Sequence, residues 1–211
     1  IIFGTMALTV ASCSDGWLDV EPSTAVETDK SINELSDVNI MLNGIYTTMQ
    51  DAYAYSGRLV YYGDACGDDM MAYSSTKRTG NYYTFNFTKD TAPSTFWSYP
   101  YKMIGLCNII LAKIDNLETK ETELRDYYKG QALALRAMLL FDLTKFYGYP
   151  YKKDNGASLA VPIVTTVLDK EANPKRNTVA ECYSQVIADL KAAVAAMDND
   201  EGKAFHKGHI N

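Results

Sequence analysis

Residues 130–150 read Gly-Gln-Ala-Leu-Ala-Leu-Arg-Ala-Met-Leu-Leu-Phe-Asp-Leu-Thr-Lys-Phe-Tyr-Gly-Tyr-Pro. Wound as a helix, this stretch is apolar on nearly every side, interrupted chiefly by Gln131, Arg136, Asp142, Thr144 and Lys145. A helix of that kind must be surrounded by other helices. The small residues Gly130, Ala132, Ala134 and Ala137 let those neighbours approach closely, and Phe141 is expected to be enclosed. Arg136 must then find an acceptor or reach solvent, because an unpaired guanidinium in a dry core is too costly. The same helix reaches back to about Thr122, and Gly148 followed by Pro150 stops it.

The neighbours are legible on both sides. From Ile32 to Met49 the residues Ile32, Leu35, Val38, Leu42, Ile45 and Met49 recur at spacings of three and four, which predicts an amphipathic helix. A second helix is expected from about Tyr101 to Leu117, with Ile104, Cys107, Ile110, Leu111 and Ile114 on one face. Beyond the Pro-containing connection 149–174, Asn177 or Thr178 caps another, carrying Val179, Cys182, Tyr183, Val186, Ile187, Leu190 and Val194. Between Tyr53 and Pro100 the pattern dissolves into Gly, Ser, Thr, Asn and Tyr, too long for an ordinary connection. The expected fold is therefore mainly α: a stack of helical hairpins, with a long Tyr/Gly/Ser-rich loop region and short strands. Ala137 and Phe141 have the Ala-x3-Phe spacing of a tetratricopeptide repeat, but the full repeat consensus is not legible.

Towards the N-terminus, Ala7-Leu-Thr-Val-Ala-Ser-Cys13-Ser-Asp15 has small residues before a cysteine and only polar and acidic ones after it. That pattern is a bacterial lipoprotein cleavage site, with the Cys13 thiol as the lipidated group. The competing reading is an apolar N-terminal strand with an ordinary buried cysteine. On the first reading, residues 1–12 are the remainder of a signal peptide, 13–31 a polar leader, and 32–211 the folded part.

A net charge of −6 over 211 residues argues against nucleic acid, which demands clustered Lys and Arg. Cys66, Cys107 and Cys182 are widely spaced, fitting neither a disulfide framework nor the close pairs of a zinc site. Asp64, Asp68 and Asp69 could act as glycosidase carboxylates, yet adjacent Asp68 and Asp69 read better as loop hydrogen-bonding groups. Their spacing is not that of a calcium-binding EF-hand loop, and neither a metal nor a cofactor is predicted. His206 and His209 have no Cys or Ser partner suggesting a triad.

Four segments in order then resemble one family. Gly130-Gln131-Ala132-x2-Leu135-Arg136-Ala137-x3-Phe141-x-Leu143-x2-Phe146-Tyr147-Gly148-x-Pro150 resembles the helix signature of the SusD-like proteins, glycan-capture lipoproteins of Bacteroidetes outer membranes. Trp17-Leu18-Asp19 with Pro22 is similar to the leader that follows the lipid in that family. Tyr101-x2-Ile104-x2-Cys107-Asn108-x2-Leu111 resembles its Asn-containing helix, and Arg176-Asn177-Thr178-Val179-x2-Cys182-Tyr183 opens a segment like its later one. Family members are much longer, so the resemblance implies that these residues are an N-terminal portion.

Sugars present apolar C–H faces rimmed by hydroxyls, and a site for them wants aromatic platforms beside Asp, Asn, Arg or Lys. The window from Gly67 to Tyr83 holds that mixture, and Asp68, Asp69, Tyr73, Lys77, Arg78, Asn81 and Tyr82 are the candidate ligand-binding residues. By resemblance, the corresponding loop of starch-binding relatives helps form the glycan site ahead of a Phe-Asn-Phe-like strand, here Phe85-Asn86-Phe87. Tyr73 stands where those relatives present a tryptophan. The competing reading packs Tyr82 and Tyr83 on the helices and leaves Lys77 and Arg78 as solvated charges. The function implied by the resemblance is non-catalytic capture of an oligosaccharide at the cell surface for a SusC-like TonB-dependent transporter, with membrane attachment through lipid only. A surface glycoside hydrolase and a helical scaffold for protein partners are the alternatives.

Overall fold

The computed structural model describes residues 32–67, 69–73, 79–86, 88, 94–169 and 171–197, all within one unit that starts at Ile32. Cys13, the leader and the tail after Met197 lie outside the described residues. Among the described residues six α-helices follow in order: α1 Leu35–Met49, α2 Arg58–Cys66, α3 Gly80–Tyr83, α4 Thr95–Lys113, α5 Thr122–Tyr147 and α6 Val179–Met197. The molecule is mainly helical and of the tetratricopeptide-like kind expected.

Helix α1 begins where Glu34 and Asp37 cap each other: the Asp37 carboxylate accepts from the backbone N–H of Asn33 at 2.8 Å and of Glu34 at 3.1 Å. Its buried face is Leu35, Val38, Leu42 and Ile45, the stripe set by the three-and-four spacing. At the start of α6, Thr178 and Glu181 form the other capping box: Thr178 N–H donates to Glu181 Oε2 at 2.7 Å, and Glu181 N–H to Thr178 Oγ1 at 3.2 Å. Hydrogen bonds from the Thr178 backbone and side chain hold the Glu181 carboxyl below its ordinary range.

Helix α5 is the hub. Its 26 residues, about 39 Å at 1.5 Å each, contact α1, α4 and α6. Leu135, Leu139, Leu140 and Leu143 from α5 join Val38 and Ile45 of α1, Met103 and Ile104 of α4, and Val179, Cys182 and Val186 of α6 in one core. The approach of α6 is tight at both ends: a Cβ on Gly130 would lie 2.5 Å from the Met197 side chain, and one on Gly148 would lie 3.1 Å from Val179 Cγ2 and 2.6 Å from the Thr144 carbonyl of α5 itself.

Arg136 finds its acceptor on α6. Its Nε and Nη2 each donate at 2.7 Å to the two oxygens of Asp189, and Nη1 donates to Asn108 Oδ1 of α4 at 2.9 Å. The amide nitrogen of Asn108 in turn donates to the carbonyls of Val164 at 3.1 Å and Thr166 at 3.0 Å. One buried network thus ties α4, α5 and α6 to the extended connection after α5.

Three expectations are corrected. No strand occurs among the described residues, only an isolated antiparallel bridge between Leu159 and Thr178. The presumed strand at Phe85 instead leaves α3 with φ 53°, a left-handed backbone incompatible with a strand. Helix α4 starts at Thr95 rather than after Pro100: Pro100 lies inside the helix, where it forgoes a backbone hydrogen bond, and the buried side chains of Phe96 and Pro100 offset that cost by packing. Phe141 is not enclosed: it is 36% exposed, because the α5 face bearing Gln131, Ala134 and Met138 is only partly covered.

Candidate functional site

The Tyr-rich region is anchored by rings. Tyr62 of α2 meets Tyr82 of α3 at 5.2 Å, Phe96 of α4 at 5.2 Å and Phe146 of α5 at 5.4 Å, all edge to face. The Cys66 thiol donates to the Tyr82 carbonyl at 3.6 Å, and Thr84 Oγ1 donates to the Gly80 carbonyl at 2.8 Å. Burial is the main reason that Tyr62, Tyr82 and Cys66 all hold their protons above their ordinary values. The two sides of the segment between α2 and α3 are therefore fixed to the helical body.

Between those anchors, Tyr73 is 100% exposed and Asp69 is exposed too. Asn81 is half-buried on α3. Tyr82 is only 4% exposed, so it packs on the helices and offers no ring face to a ligand. Asp68, Lys77 and Arg78 lie outside the described residues. The structure thus leaves Tyr73 as an unobstructed platform with one described carboxylate, Asp69, four positions before it.

Two further surfaces escaped the sequence reading. On α4 and the end of α5, Trp97 is 39% exposed; its ring lies 4.9 Å from that of Tyr101, tilted, and 5.0 Å from that of Tyr147, edge to face, with exposed Tyr149 following. The signal was there: Phe96 and Trp97 adjoin in sequence, as do Phe146 and Tyr147, and in each pair the first ring joins the Tyr62 cluster while the second stays at the surface. Separately, Thr47, Thr48, Gln50 and Asp51 at the end of α1 face Tyr99 and Lys102 of α4 across an open polar cleft of about 490 Å3. Hydroxyl, amide, carboxylate and ammonium groups beside a phenol are the set that pairs with sugar hydroxyls. Sequence periodicity could not show it, since it forms between elements 50 positions apart.

Asp64 and Asp69 are both exposed to solvent, and Asp68 lies outside the described residues. Among the described residues, no group of three or more His, Cys, Asp or Glu side chains converges on a point that could hold a metal. Again among the described residues, no helix is long and apolar enough to cross a membrane.

The profile of a family described as SusD-like, starch-binding and associating with the outer membrane matches residues 16–209. The chain belongs to the SusD-like family. Solved structures agree with the assignment. A candidate sugar-binding protein from Bacteroides vulgatus is 60% identical, with TM-score 0.77 over 82% of this chain and 39% of its own. A SusD superfamily protein from Bacteroides thetaiotaomicron is 35% identical, with TM-score 0.70 over 77% of this chain and 37% of its own. A SusD-like carbohydrate-binding protein from Bacteroides vulgatus is 25% identical, with TM-score 0.67 over 82% and 37%. The chain spans about two-fifths of the length of these SusD-like relatives. No curated protein matches it.

Proposed function

We propose that the chain is part of a surface glycan-capture lipoprotein that binds an oligosaccharide without cleaving it and hands it to a TonB-dependent outer-membrane transporter. The observation that carries this reading is membership of a starch-binding, outer-membrane-associated family across residues 16–209. Capture and release need no preferential stabilisation of a transition state, so the reading asks for platforms and hydrogen-bonding groups instead of an acid-base pair. The exposed ring of Tyr73, with Asp68, Asp69, Lys77, Arg78 and Asn81 in the same segment, supplies such groups; Tyr82 serves as the anchor. The polar cleft of Asp51, Tyr99 and Lys102 is the second place where the same chemistry occurs.

Attachment would come from Cys13, after removal of residues 1–12, with 13–31 as a leader to the folded body. Cys13→Ala should then abolish metabolic palmitate labelling, and unchanged labelling in that variant would refute the anchor. For the ligand, the intact protein is run in native gels containing starch, other plant glycans or host glycans, and the same mixtures are assayed for new reducing ends. Retardation without cleavage is expected. New reducing ends would establish a glycosidase instead, and mobility unchanged in every glycan would favour a scaffold that binds only protein.

A further inference from the structure

The cleft between the end of α1 and the flank of α4 presents hydrogen-bonding groups that the fold itself does not use. Its α1 side is a wall of acceptors. Thr47 Oγ1 donates to the Asn43 carbonyl at 2.8 Å and Thr48 Oγ1 to the Gly44 carbonyl at 2.9 Å, so each hydroxyl has committed its proton and can only accept. Asp51 beside them is held by its own turn: Oδ1 accepts from the Tyr53 N–H at 2.7 Å, and the Asp51 N–H donates to the Thr48 carbonyl at 3.2 Å. Oδ2 receives no donor among the described residues. The α4 side supplies donors. Tyr99 and Lys102 lie three positions apart and share a side of that helix. Neither the phenol nor the ammonium has a hydrogen-bond or ion-pair partner among the described residues. Both walls are fixed from behind: Met103, next to Lys102, is fully buried, and the Tyr55 hydroxyl donates to Asp142 Oδ2 of α5 at 2.6 Å, tying the turn after α1 to the core. Groups already held in place lose little freedom when a ligand arrives.

The two walls discriminate between ligands by charge. A hydroxyl both donates and accepts, so one placed between them satisfies α1 and α4 together. A carboxylate or sulfate only accepts; it would leave the α1 wall unpaired and meet the Asp51 charge. An ammonium only donates, and would meet Lys102. Resting on the glycan-capture reading, we propose that the cleft is a binding subsite for an uncharged sugar residue of a neutral glycan. Asp51 Oδ2 accepts from one hydroxyl, Lys102 Nζ donates to its neighbour, and the half-buried Tyr99 ring packs against the C–H face between them. None of the lining residues belongs to the Tyr73 segment, so this subsite is separate from that platform. Its volume of about 490 Å3 falls within the about 300 to 1,000 Å3 of small-ligand sites, and the open side lets the rest of a glycan chain continue past it.

Native gels of the intact natural protein test this, with soluble starch, laminarin, mannan or xylan as neutral probes and polygalacturonate or chitosan as charged ones. Lys102→Met keeps the side-chain stem and removes the donor. Asp51→Asn keeps the Oδ1 acceptor for the Tyr53 N–H and turns the Oδ2 position into a donor. Lys120→Met, at an exposed lysine that does not line the cleft, is the control. Lys102→Met and Asp51→Asn should each weaken binding of whichever neutral glycan retards the parent by about tenfold or more, as for one charge-assisted hydrogen bond. Both should melt like the parent by circular dichroism, and Lys120→Met should bind as the parent does. Folded cleft variants that bind neutral glycan like the parent would overturn the subsite and leave the capture reading standing. Equal weakening in Lys120→Met would overturn it too, as a charge effect of the whole surface, and so would a parent retarded more strongly by polygalacturonate or chitosan than by every neutral glycan. A parent retarded by no glycan at all would remove the capture reading and the subsite with it.

Discussion

Replacing Asp189 by alanine isolates the buried pair at the centre of the helical stack. The side chains of Arg136 and Asp189 are only 9% and 5% exposed, and the pair is bidentate with both contacts at 2.7 Å. Asp189 Oδ1 also accepts from Gln185 Nε2 at 2.9 Å. In Asp189→Ala the guanidinium keeps only Asn108 Oδ1 at 2.9 Å and the Thr165 carbonyl at 3.3 Å, neither of which carries a charge. Stranding a buried charge in this way costs about 3 to 5 kcal/mol. Coulomb attraction at about 4 Å with an effective dielectric near 20 is about 4 kcal/mol, in accord with that range. At about 2 to 4 °C per kcal/mol for a domain of this size, the melting temperature should fall by about 6 to 20 °C. Urea unfolding followed by far-UV circular dichroism gives the free energy directly. The double variant Arg136→Met with Asp189→Leu should recover most of the loss, because an apolar pair needs no partner charge. Recovery stays incomplete, since Asn108 loses a donor worth about 1 to 3 kcal/mol if its oxygen goes unpaired. An Asp189→Ala protein within about 1 kcal/mol of the parent would refute the premise that this charge is desolvated.

Ala137 is fully enclosed, so Ala137→Leu should overpack the α5 interface and cost about 1 to 3 kcal/mol in the same unfolding measurement; a parent-like melt would contradict that packing. Burial, the largest influence, pushes the Cys107 thiol up from 9.0 to about 12. Its folded value exceeds its unfolded one, so its contribution is complete below about pH 9 and lost as pH climbs from there toward about 12; between about pH 8 and about pH 10.5 the parent should lose about 1 to 2 kcal/mol more than Cys107→Ala, and equal losses would refute it. Tyr73→Ala in the intact protein should raise the Kd for its cognate glycan about five- to 150-fold by calorimetry, from about 1 to 3 kcal/mol of lost stacking. Wild-type affinity in a variant that melts normally would move the platform to Trp97 or to the cleft of Tyr99 and Lys102.

The sequence alone determined the elements whose evidence is local. Helix α5 runs from Thr122 to Tyr147, as the unbroken helical pattern ahead of Gly148 required, and α1 buries the very stripe its spacing marked. For α6 the sequence left Asn177 or Thr178 as the cap, and the hydrogen bonds between Thr178 and Glu181 decide for Thr178. That Arg136 had to be paired or reach solvent was also legible, because desolvating a guanidinium is costly in any fold. Which partner it takes was not: Asp189 lies 53 positions away, and only the packing of α6 on α5 brings the two carboxylate oxygens into reach. Helix α2 hid inside the Tyr-rich region because nine residues containing Gly63 carry too little periodicity to stand out, and the ring cluster around Tyr62 supplies the stability its local pattern lacks. The same cluster decided the fate of Tyr82, identical in type to Tyr73 yet buried where Tyr73 is bare. Phe141 makes the converse point. Periodicity shows which faces of α5 are apolar, but whether a neighbour covers each face depends on the arrangement of the other helices, and beside Phe141 a groove stands open.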